Sequence, residues 1–408
     1  MLEFKHMQIL ENKTAFKIVI ISIFLVATLL RAIAFDQIGG DHETFKQTVA
    51  EFMAGINPYE YTVLSYQRED LKHGYAYMPT LLYLQTFLVR INGVLKLDLP
   101  TIYLWKCPVL LADIGVGFLI YKILKEKNYP KLITIIGLFF WFFNPYFLMR
   151  YEYTNYESLP VFFLLLSLMT IGKKDLLSGM LFALAVTFKT FPLILLSALL
   201  LRSKNIKLFL LGGFFVVIAI SFPFFRSAHD LDLMIRGSFL VHGERGIQGR
   251  PLFSFLTYYL QRFGVNFFQP EFSKIYTATA LIGSQILPLY LYFKKKINNI
   301  WVLSLASFAV YYLFVPVLNR THLIWGTPFV YLGLLEIYEG RLNKYYLVIS
   351  IYYLLLCIYY FFWDKGLKNP LTFGGQIWIE PVFEDKSKFP LINDLYVKAV
   401  QWKKSVFN

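Results

Sequence analysis

Asp41 and Glu43 stand two residues apart in Gly39-Gly40-Asp41-His42-Glu43, where the first long apolar run of the chain ends. A carboxylate so placed meets hydroxyl-bearing substrates arriving from water. It can serve as general base, taking the proton as the hydroxyl attacks a sugar carbon. Asp is equally a favoured helix N-cap, and a helix-like run from Thr44 to Ala54 follows at once, so capping stands beside catalysis as a reading of Asp41. Lys189 presents the complementary chemistry. It closes an apolar run in Phe188-Lys189-Thr190-Phe191-Pro192, where a lone ammonium suits a phosphate leaving group, or snorkels to headgroup phosphates.

Further cations follow the same logic. The stretch 226–274 carries His242, Arg245 and Arg250 with Gly246 and Gly249 between them, and guanidiniums on a Gly-bearing loop suit capture of a phosphate or an anionic headgroup. Asn319-Arg320-Thr321-His322 adds a cation and a titratable imidazole ahead of Leu323-Ile324-Trp325. In Tyr151 to Ser158, the side chains of Asn155, Glu157 and Ser158 can hydrogen-bond a polyhydroxylated ligand. Asp113 and Lys106 lie inside the apolar run that starts near Thr101; at such depth a supporting ion pair or hydrogen bond is expected ahead of catalysis. Cys107 and Cys357, the two cysteines, sit in apolar stretches and imply neither a disulfide framework nor a metal site.

The elements that must position these groups are membrane helices. Hydrophobic residues make up 57% of the 408 and aromatics 19%, and the mean hydropathy is +0.52, too apolar for a soluble enzyme. The formal charge of +14 falls in short clusters between apolar runs and forms no broad stripe, which excludes nucleic-acid binding. The first run, Ala15 to Phe35, follows Lys5, Lys13 and Lys17 and lacks a small-residue cleavage site, so it reads as a retained signal anchor with a cytoplasmic N-terminus. Further apolar segments recur at 101–122, 132–149, 159–172, 177–190, 191–201, 208–225, 275–293, 299–317, 323–338 and 344–362, giving about eleven spans.

Lys and Arg cluster on alternate connections: Lys5 to Lys17, Lys122 to Lys131, Lys173 with Lys174, Arg202 to Lys207, Lys294 to Lys296, and Arg341 with Lys344. These belong in the cytoplasm by the positive-inside bias, which leaves 36–100, 150–158, 226–274 and 318–322 on the outer side. Tyr77 to Leu95 is apolar enough to pass for a span, but counting it would reverse every later connection. It is expected instead as an amphipathic helix on the outer leaflet, with Arg90 at the water line. The expected fold is therefore an all-α polytopic bundle. One membrane domain covers 1–362, with a first outer loop at 36–100, a long outer loop at 226–274 and a tail at 363–408 on the outer side.

Several motifs in order complete the reading: Asp41 through Gly55-Ile56-Asn57-Pro58-Tyr59, Tyr77-Met78-Pro79-Thr80-Leu81-Leu82, Lys106 through Leu110-Leu111-Ala112-Asp113, Asn144-Pro145, Asn155-Tyr156-Glu157-Ser158, Ser178-Gly179, Lys189 to Pro192, and His322 to Trp325. The ordered set resembles the GT-C superfamily of membrane glycosyltransferases, and within it the GPI mannosyltransferase I catalytic subunit and its prokaryotic relatives. The resemblance implies a helical bundle with amphipathic helices in the first outer loop. It also implies inverting transfer of a sugar, usually mannose, from a dolichyl- or polyprenyl-phosphate carrier to a lipid- or glycan-linked hydroxyl, in a prokaryotic plasma membrane or the ER.

Under it, Asp41, with Glu43, falls at the catalytic acid of the first loop. Lys189, Arg245, Arg250, His242, Arg320 and His322 would hold the donor phosphate and lipid. Asn155, Glu157, Tyr77 and Trp325 would contact sugar and acceptor, with Lys106 and Asp113 in support. Eukaryotic relatives carry Asp-x-Asp here, whereas Gly39 occupies the first position, so a divalent cation is doubtful and no metal ligands are assigned. Expected partners are the lipid-linked donor, the acceptor, membrane lipids and an accessory membrane subunit. A lipid-linked glycan transporter or a non-catalytic subunit of a glycosyltransferase complex is the alternative.

Overall fold

A computed structural model of the chain describes residues 12–33, 35, 41–68, 71, 74–149, 156–244, 248–249, 251–252 and 273–364. The tail beyond Asp364, and with it most of 363–408, lies outside the described residues. The fold is an all-α polytopic membrane bundle. Four helices are long and apolar enough to cross a bilayer: α1 (Lys13–Ile33), α5 (Thr101–Glu126), α11 (Ile206–Ser221, prolonged by a 3-10 turn to Phe224) and α16 (Leu342–Asp364). The 23-residue α13 (Ser273–Lys295) joins them in length.

Shorter apolar helices fill the interior: α6 (Lys131–Phe142), α8 (Ser158–Thr170), α9 (Asp175–Phe188), α10 (Phe191–Arg202), α14 (Ile300–Phe314) and α15 (Leu323–Ile337). The first loop holds α2 (His42–Met53), α3 (Pro58–Gln67) and α4 (Pro79–Val94), and the long loop begins with α12 (Ala228–Ile235). The eleven apolar segments therefore all appear, with one changed boundary. The run 132–149 breaks at Asn144-Pro145 into α6 and the five-residue α7 (Pro145–Met149), because the Asn144 side-chain Oδ1 accepts from Tyr146 N–H at 3.0 Å and turns the chain.

Local chemistry sets the helix starts. Asn57, Asn205, Ser227 and Asn299 each accept backbone N–H bonds at an N-cap, and Pro58, Pro79 and Pro192 occupy first or second positions, where a missing N–H costs nothing. Gly179 and Gly212 let α9 and α11 touch backbone to backbone. A Cβ on Gly179 would lie 1.9 Å from the Phe209 carbonyl oxygen, and one on Gly212 would lie 2.1 Å from that of Leu176.

The bundle has two chemically distinct ends. At one, Glu336 accepts from Lys127, Tyr129 and Asn299, Arg202 donates to Asn298, and Asp175 accepts from the N–H groups of Gly172 and Asn205. The basic connections after α5, α8, α10, α13 and α15 thus meet at this end. At the other, Lys106 Nζ donates to the Phe35 carbonyl at 2.7 Å, Asn57 Nδ2 to Asp230 at 2.9 Å and Tyr83 OH to the Ile220 carbonyl at 2.8 Å.

Helices α1 and α5 run antiparallel, for Arg31 meets Asp113 while Phe35, further along α1, meets Lys106, further back on α5. The segment between them leaves and returns at the same end of the bundle. Helix α4 buries Leu81, Leu82 and Gln85 and leaves Phe87 and Val94 exposed.

Candidate active site

Three short helices end together at the end opposite the basic connections, and their lengths matter. Helix α8 has 13 residues, α9 has 14 and α15 has 15, so they span about 20 to 22 Å at 1.5 Å per residue. A hydrocarbon core is about 30 Å thick. Each is therefore shorter than that core, and their site-facing ends meet at Glu157, Lys189 and Trp325, the floor of the candidate site. On that floor stand the N-termini of α8, α10 and α15 at Ser158, Phe191 and Leu323, whose dipoles favour an anion.

Glu157, just before α8, and Lys189, just after α9, face one another across the floor with Nζ 2.6 Å from Oε1. The other oxygen of Glu157 accepts from the indole N–H of Trp325, in the first turn of α15. Both carboxylate oxygens are thus occupied and the group is buried, so Glu157 anchors and is poorly placed to abstract a proton. Lys189 spends one of its donors on Glu157 and keeps 20% of its side chain exposed, with Nζ 5.4 Å from the centroid of the Tyr77 ring and 4.9 Å from that of Trp325. Trp325 is sandwiched, with His322 at 4.1 Å on one face and Phe191 at 4.2 Å on the other. Neither face is open to stack on a sugar. Trp325 sets the position of Glu157 instead.

The wall that presents Tyr77 is an extended segment whose carbonyls are satisfied by side chains. Tyr75 C=O accepts from Thr62 at 3.1 Å, Ala76 C=O pairs with His242 Nε2 at 3.0 Å, Tyr77 C=O accepts from Tyr59 at 2.8 Å, and Met78 C=O accepts from Tyr75 OH at 3.1 Å. An extended strip without sheet partners needs such donors to be buried. His242 follows a π-helical turn, Arg236–Leu240, in which Gly237 presses against the Tyr59 ring, so the start of the long loop holds this wall in register. That loop and the turn before α15 also meet as a short parallel bridge, Gln248–Gly249 (β1) with Val317–Leu318 (β2).

Asp41 occupies the N-cap position of α2, yet its side chain makes no cap hydrogen bond and is exposed. The capping role is not exercised by its carboxylate. One turn on, Phe45 N–H donates to the Asp41 carbonyl at 3.0 Å, and the Phe45 ring lies 5.7 Å from Tyr77 and 5.4 Å from Tyr156. Two ring contacts, Phe45 to Tyr77 and Tyr77 to Lys189, therefore place Asp41 and Lys189 at the same end of the molecule. His42 beside it is buried against Trp105, and burial first, then the charges of Lys46 and Lys106, against an opposing pull from Glu43, lower its pKa below 6.5. Glu43 points to solvent and pairs with Lys46 at 3.0 Å, away from the floor.

Asp113 lies just beneath the floor, fully buried in an ion pair with Arg31, and its second oxygen accepts from Ser158 Oγ at 3.2 Å. Arg31 is the partner that sequence reasoning missed; its signal was a lone guanidinium four residues from the end of the first apolar run. The structure thus brings together Tyr77, Glu157, Lys189, His322 and Trp325. It sets Asp41, His242 and Lys106 around the same end and turns Glu43 outward. Asn155, Arg245 and Arg250 lie outside the described residues, and of Arg320 only the backbone, in the 3-10 turn Arg320–His322, is described. Among the described residues no three His, Cys, Asp or Glu side chains are grouped to hold a metal.

The family model for glycosyltransferase family 87, a GT-C-like family, matches residues 75–230, a stretch that opens at the Tyr75–Met78 wall and includes Asp113, Glu157 and Lys189. No curated protein matches the chain. The match supports a glycosyltransferase; the narrower likeness to GPI mannosyltransferase I rests on the sequence motifs alone.

Proposed function

We propose that this glycosyltransferase moves a sugar, most simply mannose, from a polyprenyl-phosphate carrier to a lipid- or glycan-linked hydroxyl, with inversion, on the membrane face away from the cytoplasm. The observation that carries the reading is the floor itself: the partly exposed Lys189 ammonium, held by Glu157, stands where three helix N-termini converge. A cation held at the ends of apolar helices suits the phosphate of a lipid-borne donor. The basic end of the bundle, taken as cytoplasmic, puts the floor on the other side.

In the transfer step the Asp41 carboxylate takes the proton of the acceptor hydroxyl, whose oxygen bonds to the anomeric carbon as the carbon–oxygen bond to phosphate breaks. The leaving polyprenyl phosphate gains negative charge, and Lys189 and the helix N-termini neutralise it where it develops. Glu157 and Trp325 hold Lys189 in place, and Tyr77 forms the side wall. Arg245, Arg250, Arg320 and His322 would complete the phosphate and lipid contacts, and Asn155 a sugar contact.

The test is transfer from a synthetic polyprenyl-phosphate mannose in membranes. Asp41→Asn is expected to slow turnover by about 10²- to 10⁴-fold, the range for loss of a general base. Undiminished turnover would remove Asp41 as the base.

A further inference from the structure

The first-loop helices α2 and α3 enclose a second feature, outside the Lys189 floor. They are joined by a tight turn in which Gly55 takes a φ of +81°, and a groove of about 420 Å³ lies between them. Helix α2 has two faces. His42, Phe45, Thr48 and Val49 are buried against the bundle. Thr44, Gln47 and Glu51, with the edge of Thr48, line the groove opposite Tyr61 of α3; Thr48 Oγ1 donates to the Thr44 carbonyl and Gln47 Nε2 to Glu51. A helix face that meets a neighbouring helix is ordinarily apolar; this one is a stripe of hydroxyl, amide and carboxylate groups. Asp41 lies three residues before Thr44, so the stripe runs up to the proposed base.

We propose that this groove is an acceptor subsite that takes uncharged sugar units. The proposal rests on the glycosyltransferase reading above and names the part of the acceptor bound there. Thr, Gln and Glu side chains supply donors and acceptors for adjacent hydroxyls, while the Tyr61 ring offers an apolar face with a polar tip. The volume is at the lower end of small-molecule sites and suits a mono- or disaccharide. Charge argues against an anionic occupant: Glu43 and Glu51 outweigh Lys46 along the lining, so a phosphate would be repelled. The acceptor hydroxyl would reach Asp41 at the head of the stripe while the preceding sugars lie along α2.

Ala50 is exposed and lines the groove, so Ala50→Trp fills it without touching the Lys189 floor. With the full-length protein in nanodiscs and polyprenyl-phosphate mannose as donor, octyl mannoside and octyl mannotrioside are compared as acceptors. Ala50→Trp is expected to raise KM for the trioside about tenfold, the loss of one or two hydrogen bonds, and to leave the monoside and hydrolysis of the donor by water unchanged. The paired change Gln47→Ala with Glu51→Ala is expected to do the same without added bulk. Equal KM values in wild type and both variants would overturn the subsite.

Saturation-transfer NMR with free mannotriose, in the absence of donor, separates the two ideas. A signal in wild type that disappears in Ala50→Trp supports the groove even if no donor is turned over, an outcome that sinks only the donor reading. No signal in wild type overturns the groove whatever the turnover.

Discussion

Two ion pairs lie within a few residues of one another and differ in what surrounds them. Arg31 and Asp113 are sealed, with 3% and 0% of their side chains exposed, and their remaining contacts are consumed inside the fold. The guanidinium donates to the Ala27 carbonyl at 3.1 Å and lies 4.5 Å over the Phe147 ring, and the carboxylate holds Ser158. Lys189 and Glu157 have the same chemistry on the floor of the candidate site, and there the ammonium keeps 20% exposure and aromatic rings around it. Burial decides the role. A sealed pair ties α1 to α5, whereas a pair with one exposed member is a held cation awaiting an anion. The two meet at consecutive residues, since Ser158 bonds Asp113 and Glu157 bonds Lys189.

The contrast breaks most sharply at Asp113. Asp113→Ala leaves the buried Arg31 charge uncompensated and is expected to cost about 3–5 kcal/mol of stability, read as a large fall in the unfolding midpoint in detergent. A midpoint close to wild type would mean that the pair is dispensable to the fold. Lys189→Met is the counterpart. It is expected to lower transfer about 10²- to 10³-fold, as for loss of one group that stabilises transition-state charge, with a smaller shift of midpoint than Asp113→Ala. A variant that kept its turnover would deny Lys189 any part in handling the leaving group.

The double change Arg31→Met with Asp113→Leu sharpens the comparison, because removing a buried pair together leaves no orphaned charge. Stability within about 1 kcal/mol of wild type is expected, and transfer within severalfold. Were transfer to fall as far as in Lys189→Met, the sealed pair would have to be counted with the site, acting through Ser158.

The apolar runs and alternating basic clusters made the bundle legible before any coordinates, because lipid and the positive-inside bias leave one-dimensional records. Asp113 as a supporting ion pair was legible too, but not its partner: Arg31 and Asp113 are 82 residues apart, and nothing local in either helix names the other. The floor followed the same rule. Glu157, Lys189 and Trp325 were each visible as polar or aromatic residues at helix ends, while their joining spans 32 and 168 residues of chain. Trp325 was expected to meet a sugar, and only the packing of Phe191 and His322 on its two faces reassigns it to holding Glu157. Asp41 and Glu43 were read together as the acids of the first loop, with Asp41 as the base. The first helical turn separates them, turning Glu43 out to Lys46.

His42 offers the mildest version of the contrast, since it is buried like Asp113 but has no counter-ion to seal it. Burial, with help from Lys46 and Lys106 against Glu43, lowers its pKa below the ordinary 6.5, so the folded protein takes up a proton less readily than the unfolded chain. Above about pH 6.5 both states are neutral at this residue and it contributes no pH dependence. Below it the unfolded chain gains the proton first, and stability falls as pH drops from 6.5 toward the lowered value. Unfolding midpoints measured from about pH 7.5 down to 5.5 are expected to decline in wild type and to decline less in His42→Phe, which keeps an aromatic ring against Trp105. Equal slopes in the two proteins would assign the acid sensitivity to other groups. A steeper slope in the variant would mean that His42 is protonated in the folded state and paired, as Arg31 is, with an acid.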